Sequence, residues 1–233
     1  MCYYSRKLES RDILMKLIIA GIGPGAPQLL TLSALEHARK ADVILVPRSH
    51  DDSQGYAEKI ILSLFPDKEY LHITFPMIRD ELQRAKSILA QLDTLHLHGK
   101  TVFFPVIGDV MLYSTARYLL DAMNIDAEFV PGISAHSLAA ATAKRFLAMG
   151  TEIFTVIPGT AKPEKIQQAL SVCDCAAVYK PSVIGDWREL AAKFEAIRVD
   201  YAGMAERERV IIGDEALTGI NDYLSILLLW RKK

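Results

Sequence analysis

The chain has 233 residues, of which 51% are hydrophobic and 24% charged. These are globular values and exclude a disordered or low-complexity chain. Its 27 basic and 28 acidic residues leave a formal charge of −1, so no general field for polyanions exists and a dedicated nucleic-acid binder is disfavoured.

Residues 1–14 carry Tyr3, Tyr4 and mixed charges without a hydrophobic period. They lack the apolar core of a secretory signal and read as a mobile N-terminal extension or as the product of an upstream start codon. From Lys16 onward, short apolar runs alternate with helical patterns. Leu17–Ala20 reads as a buried strand, and Thr31–Ala41 as a helix with Leu32, Leu35 and Ala38 on one face. Ser33 and Glu36 have capping-box spacing. Val43–Val46 is a strand stopped by Pro47. Tyr56–Leu64 and Arg79–Leu92 are helical, the second with a stripe through Leu82, Ala85, Ile88, Leu89 and Leu92. Thr101–Val106 is a strand, Tyr113–Met123 a helix, and Ala127–Val130 a strand ended by Pro131-Gly132.

The second half begins there. Ser134–Lys144, Pro163–Leu170 and Trp187–Phe194 read as helices. Ile153–Ile157, Ala176–Lys180, Arg209–Ile212 and Tyr223–Trp230 read as strands, with antiparallel pairs among these four. The alternation implies an α/β fold with a mostly parallel sheet covered on both faces. Residues 15–130 are expected to form one α/β domain and 131–233 another. The apolar run near Leu224 to Trp230 is broken by Ser225 and is too short to cross a bilayer. Cys2, Cys173 and Cys175 form no even disulfide framework. Cys173-Asp174-Cys175 lacks a second ligand pair, and His96 and His98 supply none, so no protein-bound metal is expected.

Three loops carry the chemical signal. Gly21-Ile22-Gly23-Pro24-Gly25 follows the first strand. Its spacing fails a dinucleotide fingerprint, and no Gly-Lys-Ser/Thr ending makes it a P-loop. It reads as a rigid edge shaped for a ligand. In Gly108-Asp109-Val110-Met111-Leu112-Tyr113-Ser114, Gly108 permits close backbone approach. Asp109 either accepts hydrogen bonds from a ligand or caps the next helix. In Pro131-Gly132-Ile133-Ser134-Ala135-His136, a nucleophile elbow fails for want of its second glycine. Ser134 caps a helix there, which is compatible with offering its backbone to a ligand.

In this order the three loops, with Leu29-Leu30-Thr31-Leu32 after the first, resemble the tetrapyrrole methylase family, over roughly Lys16 to Trp230. The resemblance implies two α/β domains with a cleft between them, a homodimer, and methyl transfer from S-adenosylmethionine in cobalamin and siroheme synthesis. It places the donor at Pro24, at Ile107, Gly108, Asp109 and Leu112, at Ser134 and Ala135, at Tyr179 and Lys180, and at Gly203. Phe75-Pro76-Met77-Ile78-Arg79-Asp80 and Met111-Leu112-Tyr113-Ser114-Thr115 resemble segments of the branch that methylates precorrin-2, or its cobalt complex, at C20. A cytoplasmic enzyme with a small-molecule tetrapyrrole substrate, and no nucleic-acid or membrane partner, is implied. Val110 stands where the family usually has proline, and Ala26-Pro27-Gln28 where it usually has Asp-Pro-Glu. These departures motivate one rival, a non-catalytic family member that binds a metabolite; methylation at another position, such as C11 or C17, is the rival within the same class.

Methyl transfer from a sulfonium needs alignment more than activation, and alignment supplies on the order of 7–11 kcal/mol. The proton acceptor is not assigned; Asp109 and Tyr113 are the candidates, with His50 a weaker one. The carboxylates around a macrocycle call for cations, and Arg48, Arg79 and Lys180 stand at expected loop edges, the first two after Pro47 and Pro76. His37 and His72 are assigned no role.

Overall fold

The computed structural model describes residues 15–48, 54–76, 78 and 80–232. The expectations for residues 1–14, including Cys2, and those for His50, Met77 and Arg79 lie outside the described residues. The chain divides into two compact units. One comprises the described residues up to Gly23 together with Pro27–Ile133; the other comprises Pro24–Ala26 together with the chain from Ser134 onward. Among the described residues no helix is long and apolar enough to cross a membrane.

The first unit is built on a five-stranded parallel sheet. Its strands are β1 (Lys16–Gly21), β2 (Val43–Arg48), β3 (Glu69–Thr74), β4 (Thr101–Val106) and β5 (Glu128–Val130), in the order β3-β2-β4-β1-β5. Alternation along β1 divides its residues between two cores. Ile18 and Ala20 pack with Ala34 and Ala38 of helix α1 (Leu32–Lys40) and with Ile60 and Ile61 of helix α2 (Tyr56–Leu64). Leu17 and Ile19 share the other core with Ile88 and Leu92 of α3 (Glu81–Leu92) and Leu119 and Ala122 of α4 (Ala116–Met123). Parallel strands require such crossovers, and the apolar runs are near-continuous because both faces are covered.

Several element ends differ from the sequence reading for local reasons. Thr31, not Ser33, caps α1, its hydroxyl accepting from Ala34 N–H at 3.1 Å. Strand β2 runs through Pro47 because its pairing with β4 ends at Ile44, while pairing with β3 continues to Arg48. Pro47 therefore occupies an edge-like stretch where its missing N–H is tolerated. Helix α3 starts after Asp80, whose Oδ1 accepts from Gln83 N–H at 2.8 Å. Helix α4 starts at Ala116, since Tyr113 has φ 52° and cannot continue a right-handed helix.

The second unit has the sheet order β6-β7-β10-β8-β9. Its strands are β6 (Phe154–Pro158), β7 (Cys175–Tyr179), β8 (Phe194–Asp200), β9 (Arg209–Ile212) and β10 (Ser225–Arg231). Only β6 and β7 pair in parallel, joined through helix α6 (Pro163–Val172); the other pairs are antiparallel. Helix α5 (Ala135–Thr142) and α6 lie with opposite cores of this sheet. The expected helix Trp187–Phe194 is instead a short 3-10 turn, Arg188–Leu190, followed by β8. Trp187 and Leu190 have the i, i+3 spacing of an amphipathic helix, but a 3-10 turn puts such positions on one face as well. Cys173 and Cys175 sit in opposite cores as free thiols. Burial pushes both upward, Cys175 to about 12, so neither is a ready thiolate.

Glycine permits the closest backbone contact in the first unit. A Cβ on Gly21 would lie 2.6 Å from the Gly108 carbonyl oxygen and 2.7 Å from Gly132 N. One on Gly132 would meet the Gly108 carbonyl oxygen and, at 2.7 Å, Gly21 backbone. No side chain can swing aside there. Gly132→Ala is expected to destabilise the protein by about 1–3 kcal/mol through overpacking. Gly99→Ala, at φ 75° with no neighbour within 4 Å, should cost about 1–2 kcal/mol from backbone strain alone. Chemical unfolding of both variants, with circular dichroism of the native baseline, checks this; a native-like Gly132→Ala of unchanged stability contradicts the backbone packing.

Candidate functional site

Strand order positions the site in the first unit. Neighbours β1 and β4 send their following helices, α1 and α4, to opposite faces of the sheet. Where successive connections diverge in this way, a crevice opens beyond the carboxyl ends of the strands. The loops after β1 and β4 meet at that point. Gly108 N–H donates to Gly23 O at 2.8 Å, and Gly23 N–H donates to Gly108 O at 3.2 Å. The loop after β5 joins them through Gly132. Gly108 is thus held against Gly21, Gly23 and Gly132, Ile107 packs on the core that contains Ile22 and Val130, and Asp109 and Leu112 follow in the same loop.

The glycines here serve loop-to-loop contact rather than simple flexibility, and Gly108 also adopts φ 78°. Asp109 shapes its own loop: Oδ1 accepts from Met111 N–H at 2.8 Å. It does not cap α4, before which Ser114 Oγ accepts from Ala116 N–H at 3.1 Å. The turn leaves Met111 70% exposed and Tyr113 44% exposed. A bulky residue at positive φ is strained, and such strain concentrates at binding sites. Partial burial raises the Tyr113 phenol above its ordinary pKa. At neutral pH it is therefore a hydrogen-bond donor, not a ready proton acceptor.

Arg48 ends β2 at the same sheet edge. Its Nη2–H and Nε–H donate to Glu58 Oε1 at 2.7 Å and Oε2 at 3.1 Å. His72 Nε2 lies 2.9 Å from Oε1. The sequence reading placed Arg48 on a loop over a ligand; in the structure its guanidinium is tied to α2. Glu58 was missed entirely, although a carboxylate among Ala57, Ile60 and Ile61 on a buried helix face was a readable signal. Burial opposes its ionisation, but hydrogen bonds and charge from Arg48 and His72 outweigh that, and Glu58 titrates below its ordinary value.

In the second unit, β7 and β8 both run antiparallel to β10, so their carboxyl ends share one sheet edge. Tyr179 pairs with Ile226 and Asp200 with Ser225 at that edge. Gly203, at φ 80°, follows β8, and its N–H donates to Glu208 Oε2 at 2.7 Å. Pro24 and Gly25 are gathered here too: a Cβ on Gly25 would lie 2.7 Å from Ala202 O and 3.0 Å from the Gly203 carbonyl carbon. Ser134 occupies the N-cap position of α5 without a side-chain cap bond, and Ala135 begins the helix. Tyr179 Oη meets the next residue, lying 2.9 Å from His136 Nδ1 and accepting from His136 N–H at 3.3 Å. Lys180 has φ 55°, and its Nζ stands 5.0 Å from the Tyr223 ring centroid. Its ammonium is thereby drawn to an aromatic face.

A family model described as Tetrapyrrole (Corrin/Porphyrin) Methylases matches residues 16–217. The chain is 31% identical over 235 residues to a protein of Methanocaldococcus jannaschii named "Probable cobalt-precorrin-2 C(20)-methyltransferase", across 95% of this chain and 98% of that one. It is 30% identical over 228 residues to the cobalt-precorrin-2 C(20)-methyltransferase of Salmonella typhimurium, across 92% and 95% of the two chains. In fold it is similar to a protein of Corynebacterium diphtheriae described as "putative cobalamin synthesis related protein (CobF)", with a TM-score of 0.74 at 20% identity over 94% of this chain and 99% of that one.

The Glu58 cluster has a testable consequence. A carboxylate whose pKa is lowered by folding contributes stability above its unfolded value, near 4.5, and that contribution is lost as pH falls through the lower native value. Glu58→Gln should cost about 3 kcal/mol at pH 7, the low end for breaking a buried pair, because Arg48 keeps some solvent access. Urea unfolding from pH 7 down to the acid limb should show the gap to wild type closing below the ordinary carboxylate range. A gap that stays constant or widens on acidification contradicts the assignment.

Proposed function

The chain belongs to the tetrapyrrole (corrin/porphyrin) methylases, and from that premise we propose that it transfers a methyl group from S-adenosylmethionine to C20 of precorrin-2 or of its cobalt complex. The observation that carries the methyltransferase reading is the meeting of the first two loops at the β1/β4 switch point, interlocked with the third. The choice of C20 is supported by the two relatives matched along nearly their whole length.

Two of the assigned donor segments, though not the one that carries Lys180, suit a cationic sulfonium. Ile107–Leu112 and Pro131–Ala135 contain no lysine or arginine and one carboxylate, Asp109. Such a stretch offers backbone carbonyls and amides without a competing cation. When bound, S-adenosylmethionine supplies an already activated methyl carbon, so the protein's task is alignment. Gly108 and its neighbours present backbone at a fixed height, and the Asp109 turn holds Leu112 in that frame. We assign donor binding to Pro24, Ile107, Gly108, Asp109, Leu112, Ser134, Ala135, Tyr179, Lys180 and Gly203. Arg48 is proposed to face a substrate carboxylate while Glu58 orients it; Arg79 is proposed for the same rim. Tyr113 donates a hydrogen bond there, and Asp109 is the candidate for the departing proton.

Incubation of the protein with precorrin-2 and S-adenosylmethionine should add one methyl by mass spectrometry, at C20 by carbon-13 NMR. A methyl at C11 or C17 moves the chain to another branch, and no methyl supports the binding-only rival. Asp109→Ala, which removes the turn acceptor, should weaken donor affinity by about tenfold, or ~1.4 kcal/mol. Asp109→Asn, which keeps an acceptor at the same place, should retain donor affinity in calorimetry yet lose turnover if the carboxylate takes the proton. Full turnover by Asp109→Asn removes it as the proton acceptor.

A further inference from the structure

We propose that His136, which no donor assignment above includes, is a positioning residue for the methyl donor, acting through Tyr179. The inference rests on the methyltransferase reading and deepens it. His136 stands in the first turn of α5, where helix N–H groups lack intrahelical partners. One such donor, its own N–H, is satisfied by Tyr179 Oη at 3.3 Å, from the end of a strand far along the chain. The same side chain closes a second contact, Nδ1 to Oη at 2.9 Å. Two links between one pair of residues fix both the distance and the rotation of the phenol.

The imidazole is itself held. Its ring lies 5.3 Å from that of Phe154, tilted by 45°, and meets Tyr179 nearly edge-on at 72°. Phe154 begins β6 and Tyr179 ends β7, so His136 ties the start of α5 to two parallel strands. The backbone after Tyr179 is equally constrained. Gly159 N–H donates to Tyr179 O at 2.7 Å, and Lys180 turns into the left-handed region. Ser134-Ala135 and Tyr179-Lys180, two proposed donor segments, are thereby locked together by one side chain.

The hydrogen inventory explains why this side chain is a histidine. A backbone N–H can only donate, so Oη accepts from it and has one hydrogen and one lone pair left. Nδ1 can meet either of these, depending on the tautomer. The requirement is a polar atom at the place of Nδ1, not at the far side of the ring. Asparagine puts its amide there; glutamine puts it nearer the place of Nε2.

The test uses the full-length protein with S-adenosylhomocysteine as the calorimetric probe and thermal unfolding as the control. His136→Ala and His136→Gln should each weaken probe affinity by about 3- to 10-fold, the scale of one neutral hydrogen bond. His136→Asn should restore it to within about twofold of wild type. Tyr179→Phe should weaken affinity comparably, and the double variant His136→Ala/Tyr179→Phe should be no weaker than the worse single one. Wild-type affinity in His136→Ala, whether or not its melting temperature falls, overturns the inference, as do additive losses in the double variant or an asparagine no better than alanine. If wild type itself binds no probe, the methyltransferase reading fails and this role falls with it; probe binding that the variants leave unchanged removes His136 alone.

Discussion

Backbone-to-backbone contact among Gly21, Gly108 and Gly132 is the constraint on which the first unit's site depends. Strands β4, β1 and β5 are neighbours, so their carboxyl-terminal loops are crowded into one place. A side chain at Gly21 or Gly132 would push backbone against backbone, where no rotamer change relieves the clash. With glycine there, Gly23 and Gly108 come close enough to exchange hydrogen bonds. Those bonds satisfy backbone groups that would otherwise need solvent, and they extend sheet-like order beyond the strands. A loop so fixed can offer amides and carbonyls to a ligand without first being ordered, which reduces the entropy lost on binding.

Charge is buried in both units under the same rule: each ion is held by several partners. Glu58 is 4% exposed and is contacted by Arg48 and His72. Asp200, 1% exposed, is approached by Arg198 Nε at 3.1 Å and Arg209 Nη2 at 3.2 Å and accepts from Ser225 Oγ at 2.6 Å. Arg198 Nη1 donates to Thr218 O at 2.7 Å, whereas its buried Nε, though close to the Asp200 carboxylate, makes no hydrogen bond. Desolvation makes such pairs poor sources of net stability, yet removing one member is strongly unfavourable. Their positions suggest specificity instead. Glu58 fixes the side chain that ends β2, and Asp200 pins β8, β9 and the start of β10 just before the Gly203 loop.

Legibility in the sequence tracked how local each cause is. Thr101–Val106, Tyr56–Leu64 and Arg209–Ile212 coincide with their observed bounds because apolar runs and flanking breakers sit within the segment. Glu69–Thr74 was missed, since an edge strand with one neighbour buries little besides Ile73. Phe194–Asp200 was missed because Glu195, Arg198 and Asp200 interrupt its apolar run, and two of those charges are buried by partners on other elements. The site shows the same division. Glycine and proline mark all three loops, so their chemistry was readable as a pattern. The burial of Glu58 was readable too, but the roles of Glu58 and His136 were not, because each depends on residues that only the fold brings near: Arg48 and His72 for one, Tyr179 and Phe154 for the other.

That contrast separates two ways of building a rigid binding edge. In the first unit the contact of β1, β4 and β5 loops depends on absent side chains, so Gly21 and Gly132 tolerate almost no substitution, while Asp109 shapes the β4 loop through one carboxylate oxygen. In the second, Tyr179 and His136 make the contact through side chains whose hydrogen bonds have alternatives, as an imidazole has two tautomers. An edge of glycine backbone suits the part of a ligand common to every turnover, since nothing in it adapts. A hydrogen bond that either tautomer can make exchanges donor and acceptor roles while its heavy atoms stay in place. For an alkylation in which a cationic sulfur becomes neutral, the charge to be accommodated changes during the step. Within the second unit the Tyr179–His136 contact has that tolerance, since either imidazole tautomer can meet Oη at 2.9 Å.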